Sequence, residues 1–338
     1  MTARTRCLAA MLLAAIACPA RGADPAGDNA ATFYRQAFEV LPDTSDPDWT
    51  ILNTPDAIRL DETAVRFVQK HESTVQLLRK GAAVLRCDWG SGPDPLNLDK
   101  ARTLASVARL RARLLYQQGK HSDAMEDAVA LLAYSRHVGS FPRVSAKLAE
   151  ADFATVAVSA AAPAIVSAPP EASKALMDKL QRVPNSLPTA EVVRREGQEV
   201  SERLIREARD KAGIAEVGSL YVEAARYLEL PFEQSFVPMQ KWEAKRQAGS
   251  ALAKKTVPPL RDLRLAVAAA ETRVQMLFVA AAVRVDGPRE VFRFDEPHAT
   301  GPFTYHEIPG GFELESKLVV NNLPVKLVCK PSGDALPF

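Results

Sequence analysis

Between Asp295 and Glu307 the chain gathers two imidazoles and three carboxylates: Asp295, Glu296, His298, His306 and Glu307. Side chains of these types, this close in sequence, could hold a divalent metal or perform acid–base chemistry. The candidate metal set is Asp295, Glu296, His298 and His306. His306 and Glu307 are adjacent, so on a strand they point to opposite faces and cannot easily serve one centre. The competing expectation is an exposed loop and strand edge whose charges are simply solvated.

The second pair with chemistry is Cys87 and Cys329, the two cysteines left once the first 22 residues are set aside. A redox pair normally needs close spacing and a lowered thiol pKa. These two lie 242 residues apart. A structural disulfide is the expectation, with two buried free thiols as the alternative. Closing so long a loop would stabilise by roughly 5 kcal/mol in the chain-entropy picture.

Other chemistry is absent from the sequence. It contains no Walker A loop, no G-x-G-x-x-G, no H-E-x-x-H and no G-x-S-x-G. Two cysteines cannot build a cysteine-rich zinc site. His121 and His137 are too far apart along one helix to share a metal, and His71 is expected to face solvent from mid-helix. Lys241, Trp242, Lys245, Arg246, Lys254 and Lys255 form a basic stretch that could touch an anionic polymer or lipid, although a solvated helix face is the stronger expectation. No cofactor is implied.

The start of the chain predicts export. Arg4 and Arg6 precede an apolar run from Leu8 to Ala17, and Ala20-Arg21-Gly22 supplies small residues at a cleavage site. Ala15-Ile16-Ala17-Cys18 is similar to a lipoprotein box, so Cys18 offers an alternative, lipid-anchored fate. Removing residues 1–22 takes away three arginines and no acid, which turns the formal charge from +2 to −1. A chain near neutrality gives no argument for nucleic acid, whose phosphates call for a clearly basic surface.

Helices must position most of these residues. Asn29 to Leu41 predicts a short helix. Thr54-Pro55 reads as a cap opening a long helix through about Arg86, and Asp94-Pro95 opens the next. Gly119 separates that helix from one carrying Ala124, Ala128, Leu131 and Leu132. Residues 146–168 predict a buried, alanine-rich helix, and the prolines from Pro184 to Pro188 mark the best internal boundary. Thr189 to Lys211 predicts a surface helix with Glu199–Arg203 and Glu202–Arg206 pairs. Pro231 to Lys255 predicts another helix. After Pro259, Leu263, Val267, Ala270, Val274, Leu277, Phe278, Ala281 and Val285 repeat at helical spacing and predict a central core helix.

Beyond Gly287 the period changes to two. Phe292 and Phe294, Phe303 and Tyr305, Phe312 and Leu314, then Val325, Leu327 and Cys329 share faces. Turn signals at Pro309-Gly310-Gly311 and Asn321-Asn322 make this a small antiparallel sheet of three or four strands. The fold class is therefore mainly α, helical hairpins or an α–α array with a small C-terminal antiparallel sheet. The expected regions are a signal peptide (1–22), an N-terminal helical region (23–187) with a hairpin at about 101–138, a second helical region (188–286) and a β tail packed on the helices (287–338).

Two resemblances follow from particular residues. Leu115, Gly119, Ala124 and Ala128, with Ala112, resemble one tetratricopeptide repeat, though His121 stands where that family usually has Tyr. This implies a helical hairpin of the kind found in α–α arrays. Thr300-Gly301-Pro302-Phe303-Thr304-Tyr305 and Gly311-Phe312-Glu313-Leu314-Glu315-Ser316, with the Cys87-Asp88-Trp89 loop, are similar to a group of uncharacterised exported bacterial proteins with helical bodies and a C-terminal β-hairpin. That resemblance implies an architecture and no activity. The expected function is a periplasmic or secreted binding or scaffold protein of the cell envelope, acting through a helical surface on another envelope protein or polymer. The alternative is an envelope hydrolase with a divalent metal in the 295–307 loop.

Overall fold

The computed structural model describes residues 28–42, 47–54, 59–91, 95–207 and 210–331. The predicted leader with Cys18 lies outside these residues, as do Pro55 and Asp94; Thr54, expected to cap a helix, instead donates its hydroxyl back to the Ile51 carbonyl at the end of a 3-10 turn. Among them are twelve α-helices followed by a three-stranded sheet, which establishes the mainly helical fold with a small antiparallel β tail.

The described residues open with α1 (Ala30–Glu39), where the Asn29 side chain accepts from Ala31 N. The expected long helix is two: α2 (Glu62–Lys70), capped by Asp61, and α3 (Glu72–Ala82). The break falls at His71, which is buried and packs its ring 4.7 Å from Phe67 instead of facing solvent. Asn97 caps α4 (Leu98–Gln117). Gly119, at φ +74, then reverses the chain into α5 (His121–Gly139). A side chain would fit there sterically, so the positive φ alone explains the glycine.

The longest helices come next in importance. The alanine-rich α6 (Val144–Ser167) lacks a cap of its own, and Glu196 of α8 (Thr189–Arg206) bonds to Val144 N instead. Between them lies α7 (Pro170–Leu180). Glu199 of α8 pairs with Arg143 rather than with Arg203, so the expected local pair is replaced by a bond between helices. Asp210 caps α9 (Lys211–Leu228). The predicted single helix after Pro231 is α10 (Phe232–Ala248) and, after a break at Gly249-Ser250, α11 (Ala251–Thr256). Then α12 (Leu260–Asp286) runs the full length of the molecule's middle, with Leu263, Val267, Ala270, Leu277 and Ala281 buried as their spacing predicts.

Residues 288–293 form a 3-10 turn, not a strand, and Phe292 is exposed. The sheet holds β1 (Thr304–Ile308), β2 (Gly311–Val320) and β3 (Leu323–Cys329) in that order, all antiparallel. Asn321 and Asn322 both take positive φ, as a type I′ hairpin requires. Phe312, Leu314, Val325, Leu327 and Cys329 form the buried face.

Two hydrophobic clusters result. The first joins α1–α5, the start of α6, α8–α11 and the first turns of α12. The second joins the rest of α6 and α12 to α7 and the sheet. Only α6 and α12 contribute extensively to both, so the clusters meet along these two helices rather than at the proline-marked boundary near residue 187.

Candidate functional site

The junction of the two clusters is polar. Ala151 and Ala154 of α6 and Val267 and Ala270 of α12 line a small cavity there, with Arg136, Glu150 and Glu271 supplying its charges. Glu150 and Lys147 are both almost fully buried. Arg136 Nη1 lies 2.6 Å from Glu150 Oε1 and Lys147 Nζ 2.6 Å from Glu150 Oε2. Ser186 donates to Glu150 Oε1 at 2.7 Å, and Lys147 donates to Ser186 Oγ and the Leu187 carbonyl. Such pairing is what makes buried charge tolerable, because an isolated buried ion would be strongly destabilising. Gly139 makes room for it: a Cβ there would fall 1.8 Å from Glu150 Oε2.

On the other side of the cavity Glu271 meets the tail. Its Oε2 lies 2.7 Å from His298 Nε2. The His298 ring also packs against Phe232 of α10, and the Arg264 guanidinium stacks on the same phenyl ring at 5.5 Å. Burial pushes the Glu271 carboxyl up, but the His298 hydrogen bond and the charges of His298, Arg136 and Lys147 outweigh it and hold the group below its usual range. The cavity has room for about one water molecule, some 10 Å³. Ligand pockets span roughly 300–1,000 Å³, so the junction is a structural seam and not a substrate pocket.

The four expected metal ligands are not brought together. Asp295 is exposed and pairs through its backbone with Pro302. Glu296 is buried and accepts from Ser316 Oγ and, at 3.1 Å, from Lys317 N. It thereby satisfies β2 where the register with β3 shifts between Glu315 and Val319. His298 turns to Glu271, and His306 lies on the outward face of β1 opposite Glu313. Sequence proximity fails here because loop and strand send neighbouring side chains in different directions.

His306 does meet Glu313 and Glu315, whose ligand atoms lie within 4.8 Å of one another. That space already has its cation: Lys326 Nζ lies 2.9 Å from Glu313 Oε1 and 2.6 Å from Glu315 Oε2. The two carboxylates hold the ammonium above its usual range. The cluster is an ion-pair ladder across strands, invisible without the register.

Cys87 and Cys329 are both free. The expected disulfide is not formed, for Cys87 packs against the first cluster and Cys329 lies within the second. Burial pushes the Cys87 thiol up to about 12 and the Cys329 thiol up as well, the wrong direction for a nucleophile.

Sequence inspection missed an aromatic knot around Cys87. The Tyr34 hydroxyl lies 2.7 Å from His137 Nδ1, and Trp89 Nε1 donates to the His137 carbonyl at 2.8 Å. Tyr34 packs edge-on against Tyr134 and stacks with Trp89. Burial pushes His137 down to about 4, with the Leu85 backbone opposing. A neutral imidazole and a neutral phenol can share one hydrogen bond in either direction, according to the ring tautomer. The expected basic stretch is engaged in part: Trp242 is buried and donates to the Leu220 carbonyl, Lys245 pairs with Glu223 and Arg246 with Glu243, whereas Lys241, Lys254 and Lys255 face solvent.

Comparison with known proteins finds no protein-family model, no curated protein and no solved structure that matches the chain.

Proposed function

We propose that the protein is an exported binding or scaffold protein of the cell envelope that engages its partner through a helical surface. The observation that carries this is where large apolar side chains reach solvent. Ile205 lies on α8, Val222 on α9, and Phe236 and Val237 on α10. These three helices are consecutive, and α9 packs against both α8 and α10. Four of the ten large apolar side chains exposed among the described residues lie on these three helices, and exposed apolar side chains on neighbouring elements suit protein contact better than scattered ones. Arg261 stacks on Phe236 at 5.3 Å, so the same region also offers a cation. The repeat-like hairpin of α4 and α5 is not the surface in question, since its faces are largely buried in the core.

Export supports the envelope as the place of action through the charged-then-apolar start of the chain. The test is crosslinking in intact cells, envelope fractionation and mass spectrometry. The wild-type chain is expected to fractionate with the envelope and to capture a specific protein or polymer. The double variant Val222→Glu, Val237→Glu is expected to lose that partner while unfolding at an unchanged temperature. A cytosolic chain, or capture unaffected by the double variant, would sink the proposal.

A further inference from the structure

We propose that the partner docked on the helical surface is an acidic, amphipathic segment of another protein that lies along α10, with its apolar side chains on Phe236 and Val237 and its carboxylates on Lys241, Lys254, Lys255 and Arg261. The proposal rests on α8–α10 being the docking surface and adds what that surface recognises. Residues 232–264 carry seven lysines and arginines against three carboxylates, in a chain whose formal charge is only +2. Two of those cations are already held: Lys245 pairs with Glu223 and Arg246 with Glu243. Lys241, Lys254 and Lys255 are exposed. Among the described residues neither they nor Arg261 have a carboxylate within ion-pair distance.

The fold sets these cations beside exposed apolar side chains. Val237 and Lys241 are four residues apart on α10 and so are neighbours on its surface. The Arg261 guanidinium lies over the Phe236 ring at 5.3 Å, and its buried Nε has no acceptor among the described residues. Arg246 of α10 donates to the Val257 carbonyl just after α11. That bond holds α11, with Lys254 and Lys255, near the C-terminal end of α10. Glu233 lies one turn before Val237, away from the lysines. Apolar contacts near the start of α10 therefore give way to cations toward its end, which sets the direction of the segment.

Charge chooses among the occupants. A two-fold contact matches a patch with itself, so a second copy docked here would set these cations against one another. A flat anionic bilayer would also press on Glu202, one turn before Ile205 on α8, and on Glu229, two turns after Val222 on α9, both exposed. A narrow acidic segment along α10 meets the cations without those carboxylates. Its apolar side chains cover Phe236 and Val237, in the manner of an amphipathic helix laid on an apolar surface.

Fluorescence anisotropy with the purified full chain tests this. The probe is a labelled helical peptide with leucines on one face and glutamates on the other. It is compared with the same peptide carrying lysines for glutamates and with phosphatidylglycerol vesicles. The chain is expected to bind the glutamate peptide at least about tenfold more tightly than the lysine peptide, and less tightly as salt rises. The triple variant Lys241→Gln, Lys254→Gln, Lys255→Gln is expected to lose at least about tenfold in affinity at an unchanged unfolding temperature, while arginines at the same positions retain it. Equal binding of the two peptides, indifference to the glutamine variant or preference for the vesicles overturns the proposal. If Val222→Glu, Val237→Glu loses the partner in cells and the glutamine variant keeps it, the docking surface stands and the acidic partner falls. If neither variant loses it, both fall.

Discussion

Two histidines in this protein make side-chain contacts of the same length to opposite effect. His137 sits 2.7 Å from the Tyr34 hydroxyl and His298 sits 2.7 Å from the Glu271 carboxylate. The first is enclosed by aromatic rings and faces a neutral partner, so burial decides and the ring is held uncharged. The second lies where tail meets body and faces an ion. Distance alone does not say what a histidine contact does. The charge of its partner and the elements it joins decide.

The largest effect expected from breaking this contrast comes from Trp89→Ala. Trp89 is buried, stacks on Tyr34 and donates to the His137 carbonyl. Its truncation should destabilise the protein by about 3–5 kcal/mol in chemical unfolding. The His298–Glu271 contact should survive under conditions where the variant is still folded. Loss of that contact in a folded variant would mean that the two regions act as one.

A smaller effect sharpens the contrast through pH. The unfolded chain takes up the His137 proton near the ordinary 6.5, and the folded chain only near 4. Its stabilising contribution is therefore complete above pH 6.5 and is lost as pH falls toward 4. The loss is about 3 kcal/mol over that window. Urea unfolding at a series of pH values should show it, and His137→Gln should remove it. In Glu271 the carboxyl is lowered from 4.5, so its contribution is complete above that value and is lost as pH falls below it through the lowered range.

Much of the fold was legible because its signals are local and periodic. The stripe of α12, the glycine between α4 and α5, the asparagine turn and the alternating faces of β2 and β3 are all written within a few residues. The break at His71 was not, because the helical stripe continues across it and only packing against Phe67 distinguishes the two helices. Phe292 and Phe294 alternate like a strand, yet the segment forms a 3-10 turn after Gly287. The candidate site was legible only as residue types. His298 was singled out, but its partner lies 27 residues away on α12. Glu296 was singled out as a ligand, whereas it is the acceptor that satisfies a register shift in β2. The alternation placed Cys329 on a buried face but could not say which hydrophobic cluster that face joins, and so it paired Cys87 with a thiol in the other one.

The contrast between the two histidines is tested most directly by following their imidazole nitrogen and carbon signals by NMR between about pH 8 and about pH 5. The account predicts that His137 stays neutral throughout. It predicts that the His298 Nε2 signal is altered by Glu271→Gln. Protonation of His137 within that range, or a His298 signal indifferent to Glu271, would contradict it.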